Sequence, residues 1–167
     1  KEKKTLPIYI KGTNFLRPIK FQDNIGSAQI KTSICLAALN APGETIIKSK
    51  RCRDHTEKLF KFLKIPIKVK KEKNFDLIKI KGLKKFQSFD YHIPADPSSS
   101  AFIVMLTILS KNSSILIKNC LVNENRIGFY KILKQMGAKI IFKNKKIYKG
   151  EKISDIFCKS SNKLNSV

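Results

Sequence analysis

Residue types that mark several protein classes are scarce or absent in this sequence. It contains no tryptophan, and its 167 residues include only two histidines and four cysteines. No pair among Cys35, Cys52, Cys120 and Cys158 has metal-ligand or redox spacing, so we expect no metal site. Free thiols are typical of a reducing compartment, which favours the cytoplasm. No apolar run approaches the roughly 18 residues that a membrane-spanning helix needs, so we expect no membrane partner.

Arginine is also scarce, although the chain is strongly basic. Lys and Arg number 35 against 12 Asp and Glu, a formal charge of +23, yet the only arginines are Arg17, Arg51, Arg53 and Arg126. Surfaces that read bases or clamp phosphates favour arginine, because its planar fork bonds two acceptors at once. We therefore interpret most of the charge as solvated surface lysine. A basic nucleic-acid-binding α/β module remains an alternative function at this point.

Hydrophobic patterning indicates an α/β fold. The hydrophobic fraction of 42% is enough for a core. Periods of 3.6 residues predict helices at 27–39, 54–63, 98–109 and 126–136. Short apolar runs between turn residues predict strands at 6–10, 18–21, 45–48, 65–70, 76–80, 114–118 and 139–142. After Lys143 the pattern fades, which predicts an irregular tail.

The two halves of the chain repeat the same order of elements. Ser27-Ala28 before the first helix matches Ser100-Ala101 in the third, and the strands and helices that follow keep nearly the same spacing. Two successive copies of one α/β unit, each of about 70 residues, explain this pattern. The proline-containing stretch Pro94 to Pro97 is the natural junction.

Polar clusters precede the predicted helices, and each has two interpretations. Ser27 and Asp96 are suitable N-caps, and Asp54 with Glu57 matches a capping box. Alternatively, the helix starts hold an anion with their free N–H groups. Gly26 favours this at the first helix, because a missing side chain lets a ligand approach the backbone.

Arg53 favours the anion interpretation of the second cluster. It stands at a helix start, where the dipole disfavours a cation unless an anion lies between them. The neighbouring His55 is predicted to be a structural hydrogen-bonding residue, since no nucleophile accompanies it. The stretch from Asn123 to Arg126 is interpreted as an asparagine cap of the last predicted helix. Gly137 is predicted to end that helix in a left-handed conformation.

Several motifs in fixed order resemble 5-enolpyruvylshikimate-3-phosphate synthases. The resemblance covers roughly residues 5 to 145 and rests on Gly26–Lys31 (GSAQIK), Ala38–Gly43 (ALNAPG), Arg53–Glu57 (RDHTE), Pro94–Phe102 (PADPSSSAF) and Met136–Ala138 (MGA). It implies the enolpyruvyl transferase fold, two domains of repeated α/β units that form an inside-out α/β barrel, of which this chain covers a part. Residues 1–93 would be the C-terminal part of the first domain. Residues 94–167 would begin the second with one repeat unit and the irregular tail.

The resemblance also implies a reaction and a set of substrate contacts. The family transfers the enolpyruvyl group of phosphoenolpyruvate to the 5-hydroxyl of shikimate 3-phosphate in aromatic amino-acid biosynthesis. It works as a monomer, without metal or organic cofactor and without nucleic acid. Its substrate-binding residues map onto Ser27, Ala28, Gln29 and Arg53, and none of its catalytic residues maps onto this chain. A UDP-N-acetylglucosamine enolpyruvyl transferase is the related alternative.

The ends of the sequence suggest a piece of a longer protein. The chain starts at Lys1 rather than Met and stops in a polar stretch at Val167. No charged-then-apolar leader follows Lys1. Since the family's proton-transfer groups have no match here, we expect the 167 residues alone to be inactive.

Overall fold

The computed structural model describes residues 6–82, 86–161 and 163–167. Its four helices are interspersed among seven strands, as expected for an α/β fold. The helices are α1 (Ala28–Ala38), α2 (His55–Phe62), α3 (Pro97–Leu109) and α4 (Gly128–Gln135). The strands are β1 (Lys20–Asp23), β2 (Glu44–Lys50), β3 (Ile67–Lys71), β4 (Phe75–Lys81), β5 (Ser114–Leu121), β6 (Ile140–Tyr148) and β7 (Glu151–Lys159). None of these helices is long and apolar enough to cross a membrane.

The first four strands form one sheet in the order β1-β2-β4-β3. β1 and β2 are parallel, and the other neighbours are antiparallel. Side chains alternate across the sheet, so that Ile47, Ile78 and Ile80 are fully buried on one face. Cys35 of α1 and Phe60 of α2 complete this core.

The second sheet repeats this arrangement in the order β5-β7-β6, all antiparallel. That order matches β2-β4-β3 of the first sheet. In the second copy, an isolated parallel bridge between Ala95 and Cys120 takes the position that the parallel pair of β1 and β2 has in the first copy. The predicted repeat is therefore confirmed, and it extends further than the sequence indicates. Each copy has the order strand, helix, strand, helix, strand, strand, with the first strand of the second copy reduced to a single bridge.

Two predicted features of the chain are wrong. Residues 6–10 form no strand, although their composition suits one. The tail is not irregular either, because β6 continues to Tyr148 and β7 is the central strand of the second sheet. Lysines and the buried polar residues Glu151 and Ser154 interrupt the apolar alternation of this hairpin, which is why the pattern fades in the sequence.

Candidate functional site

The turn before α1 is held by one buried carboxylate, Asp23, at the end of β1. Its Oδ1 accepts the backbone N–H groups of Ile25 and Gly26, each at 3.0 Å. Its Oδ2 accepts the N–H of Ser27 and the hydroxyl of Ser49, also at 3.0 Å. Burial opposes ionisation, but these four hydrogen bonds outweigh it and hold the pKa of Asp23 below its ordinary value. Sequence reasoning missed Asp23, which organises the approach to α1.

Gly26 is required in this turn for two reasons. Its φ of +82° lies in the left-handed region, where other residues are strained. A Cβ atom at this position would also stand only 3.2 Å from the Cβ of Lys50. The glycine therefore lets the chain bend tightly enough for Ser27 to begin the helix.

The start of α1 leaves hydrogen-bond donors free. Ser27 is the N-cap, as predicted, and its Oγ accepts the N–H of Ile30 at 3.3 Å. Within the described part of the chain, the N–H groups of Ala28 and Gln29 have no acceptor. Capping and anion binding are therefore compatible here, because the cap uses only part of the available donors.

The loop between β2 and α2 faces this helix start. Arg51 is engaged, since its Nη2 donates to the carbonyl of Glu72 at 2.7 Å and its Nε lies 3.9 Å from Asp76. The guanidinium of Arg53 has neither a hydrogen-bond acceptor nor an ion-pair partner among the described residues. Arg53 is thus available to an external anion.

These groups surround one polar cavity of about 390 Å³. We call it the anion cavity. Its lining residues are Gly26, Ser27, Ala28, Gln29, Arg51, Cys52, Arg53 and Asn125. The structure thus brings together all four residues that the sequence analysis selects as substrate contacts. Free N–H groups, a hydroxyl, an amide and a guanidinium suit a small anionic metabolite.

Asn125 lines the anion cavity from the second copy of the repeat. Its Nδ2 donates to the carbonyl of Cys52 at 3.4 Å. The sequence analysis assigns this stretch to a helix cap, and that is wrong, because α4 starts after Ile127 without a side-chain cap. Asn123 instead caps a tight turn, its Oδ1 accepting the N–H of Asn125 at 2.9 Å. No sequence signal points to Asn125, since its partner is distant in the chain.

The capping box predicted at α2 is also absent. Asp54 makes no side-chain cap hydrogen bond, and Glu57 is buried beside Lys31 of α1, with 2.6 Å between Oε1 and Nζ. Lys31 also donates to the carbonyl of Arg53 at 2.7 Å. Burial lowers the pKa of Lys31, but the hydrogen bond and charge of Glu57 outweigh burial and raise it. This pair lies directly beneath the loop that carries Arg53.

A second polar cluster joins the two copies of the repeat. Nδ1 of His55 lies 2.5 Å from Glu151, and Nδ2 of Asn123 donates to Asp54 at 2.7 Å. Lys58 pairs with both carboxylates, at 3.1 Å from Asp54 and 3.3 Å from Glu151. We call these five residues the inter-repeat clamp. The structural role predicted for His55 agrees with this contact.

The electrostatics of the clamp favour its ionised carboxylates. Burial opposes ionisation of Glu151, but the hydrogen bond from His55 and the charge of Lys58 hold its pKa below the ordinary value. Burial likewise opposes ionisation of Asp54, and the bonds from Asn123 and Lys58 outweigh it and lower that pKa. The clamp thus fixes the second repeat, and Asn125 with it, against α2.

The start of α3 is occupied by protein groups. Asp96 caps the helix as predicted, accepting the N–H of Ser99 at 2.8 Å, and Pro97 takes the first helical position. Arg126 lies 2.5 Å from Asp96 and donates to the hydroxyl of Ser98 at 2.8 Å. The anion interpretation of this helix start therefore has no free cation to support it. No cluster of His, Cys, Asp and Glu within the described ranges has the make-up of a metal site.

A larger cavity of about 480 Å³ lies between the two repeats and is mainly apolar. Leu59, Phe89, Tyr91 and Ile93 contribute much of its wall. Such a lining suits a small, highly charged ligand less well than the anion cavity does.

Comparisons with known proteins agree on one family. The family model described as EPSP synthase (3-phosphoshikimate 1-carboxyvinyltransferase) matches residues 1–161. The 3-phosphoshikimate 1-carboxyvinyltransferase of Chlorobium phaeobacteroides is 38% identical over 165 residues, which are 98% of this chain and 37% of the relative. That of Thermodesulfovibrio yellowstonii is 41% identical over 168 residues, or 99% and 38% of the two chains.

A solved structure gives the same result for the fold. EPSP synthase from Acinetobacter baumannii superposes with a TM-score of 0.82 at 34% identity, covering 100% of this chain and 37% of that one. The chain thus spans a little more than a third of the length of the relatives it matches.

Proposed function

Because the chain belongs to the EPSP synthase family, we propose that its anion cavity is one wall of the site at which an enolpyruvyl group is transferred. The donor is phosphoenolpyruvate and the acceptor is the 5-hydroxyl of shikimate 3-phosphate. The products are 5-enolpyruvylshikimate 3-phosphate and phosphate. One observation carries the proposal: Ser27, Ala28, Gln29 and Arg53 line the same cavity, where the N–H groups of Ala28 and Gln29 and the guanidinium of Arg53 have no acceptor among the described residues.

The charges of the acceptor explain the choice of side chains. Shikimate 3-phosphate carries a phosphate and a carboxylate, so it needs several donors and at least one fixed cation. We assign phosphate binding to the hydroxyl of Ser27 and the N–H groups of the first turn of α1, where the helix dipole adds to the attraction. Arg53 supplies the cation, and the amide of Gln29 reaches both substrates.

Proton transfer is assigned to residues outside this chain. None of the described residues that line the anion cavity carries a carboxylate, an imidazole or an amine. General acid–base catalysis requires such a group within hydrogen-bonding reach of the proton it moves. The 167 residues alone should therefore bind without turnover. The cavity chemistry offers nothing that selects a UDP-sugar, and the family match does not favour that alternative.

Further features of the whole enzyme follow from the family. We propose that residues 1–93 and 94–167 belong to its two domains, which the two separate sheets and cores support. We also propose a monomer in the cytoplasm that needs no metal or organic cofactor. The free thiols of Cys35, Cys52, Cys120 and Cys158 suit such a reducing compartment.

The test is a calorimetric titration of shikimate 3-phosphate into Arg53→Ala and a charge-matched control. Hydrogen bonds to a charged partner contribute about 1.5–3 kcal/mol, so Arg53→Ala should weaken binding by about 10- to 100-fold. Arg17→Ala removes the same charge from an exposed position outside the cavity and should leave the affinity within about twofold. Equal losses in the two variants would mean that diffuse positive charge, rather than this cavity, attracts the ligand.

A further inference from the structure

The Lys31–Glu57 pair is costly to keep in the interior. The side chains are only 2% and 4% exposed, and the Oε2 atom of Glu57 is buried without a partner among the described residues. Desolvating two charges removes much of what their attraction provides, so apolar side chains often replace such pairs without loss of stability. Stability alone is therefore a weak reason for this pair.

What Lys31 contacts suggests another reason. It lies one turn beyond Ser27 in α1, and its Nζ donates to the carbonyl of Arg53 at 2.7 Å. It thus connects the helix start that forms one side of the anion cavity with the loop that forms the opposite side. Glu57, in the first turn of α2, holds the ammonium in place for that bond.

Resting on the proposed function, we propose that Lys31 is a positioning residue for substrate binding. It fixes the peptide that follows Arg53, so that the guanidinium faces the free N–H groups of Ala28 and Gln29 across the cavity. Lys31 does not line the cavity, and it acts through Arg53 rather than on the ligand. Orienting this otherwise unpartnered guanidinium before binding reduces the conformational entropy lost when the anion arrives.

The test uses the double variant Lys31→Met/Glu57→Leu in the full-length protein. It removes the bond to the Arg53 carbonyl, leaves the net charge unchanged and strands no buried ion, so the fold should survive. The Kd and KM for shikimate 3-phosphate should rise about tenfold, with kcat changed less than about threefold.

A control variant and a double-mutant cycle distinguish a positioning role of Lys31 from a general effect on stability. Thr32→Val removes a neighbouring 2.6 Å hydrogen bond from α1 to Thr56 without touching the Arg53 loop, and should leave Kd unchanged. In an Arg53→Ala background, the Lys31→Met/Glu57→Leu change should cost less than about twofold, because its effect passes through Arg53. A tenfold cost in both backgrounds, or no cost in either, would overturn the inference.

A measurement without ligand decides the case even if shikimate 3-phosphate does not bind. The N–H of Asp54 belongs to the peptide whose carbonyl Lys31 holds, so the NMR order parameter of this N–H should fall in the double variant and remain unchanged in Thr32→Val. An unchanged order parameter in the double variant would refute the positioning role. Absent binding by the wild type would instead refute the proposed function.

Discussion

Glu151 of the inter-repeat clamp provides the sharpest stability prediction. Its side chain is 7% exposed and meets His55 at 2.5 Å, Lys58 at 3.3 Å and Asn123 at 3.4 Å. Glu151→Gln keeps the shape but removes the charge. A hydrogen bond to a charged group contributes about 1 kcal/mol more than a neutral one. Two such bonds, discounted because Lys58 and His55 are 27% and 33% exposed, amount to a loss of about 1.5 kcal/mol.

Thermal and urea unfolding at neutral pH measure this loss. For a chain of this size it corresponds to a fall of about 3–6 °C in Tm. Glu124→Gln is the matched control, since Glu124 pairs with Lys152 at 2.6 Å but both side chains are largely exposed. That variant should show no measurable change.

The pH dependence supplies a second, independent readout. The pKa of Glu151 is lower in the folded state, so its stabilisation is complete above the unfolded value of about 4.3. It is lost as the pH falls through the folded pKa. The difference in Tm between wild type and Glu151→Gln should therefore close below about pH 4. A difference that persists there, or equal losses in Glu124→Gln, would refute the assignment of the effect to an ionised, buried clamp.

Two further substitutions test buried contacts elsewhere. Tyr130→Phe removes a hydroxyl that contacts Ser100 at 2.6 Å and donates to the carbonyl of Pro97 at 2.9 Å. The free energy of unfolding in urea should fall by about 1–3 kcal/mol, and an unchanged midpoint would contradict this. Gly26→Ala places a Cβ 3.2 Å from Lys50 at a φ of +82°, so it should lower stability by about 1 kcal/mol or more and also weaken shikimate 3-phosphate binding. Full affinity in that variant would show that the turn tolerates the strain.

Local signals predict the starts of α1 and α3 well. Ser27 and Asp96 each lie within a few residues of the backbone N–H that they accept, and Pro97 directly follows Asp96. Neighbouring residues in the sequence are therefore enough to predict these helix starts. The left-handed Gly137 that ends α4 follows the same logic, with a φ of +96°. The spacing of the motifs predicts the repeat, and the strand orders of the two sheets confirm it. The family resemblance implies the enolpyruvyl transferase fold class, and the structural match confirms it.

Several contacts of the site depend on residues that are far apart in the chain. Glu57 matches a capping box, yet it pairs with Lys31 of another helix, because a buried ammonium attracts a carboxylate more strongly than a helix end does. Asn125 reaches the anion cavity only after the second repeat docks on α2 through the clamp.

Local periodicity in the sequence predicts the four helices and strands β1 to β5, since hydrogen bonding and capping act over a few residues. It fails at residues 6–10 and, after Lys143, in the hairpin of β6 and β7. Tertiary packing decides that β7 lies in the middle of its sheet. It also decides that Ser27 and Arg53 face one cavity. Those outcomes depend on distances between chain segments, which burial and charge pairing set only after the repeats have folded together.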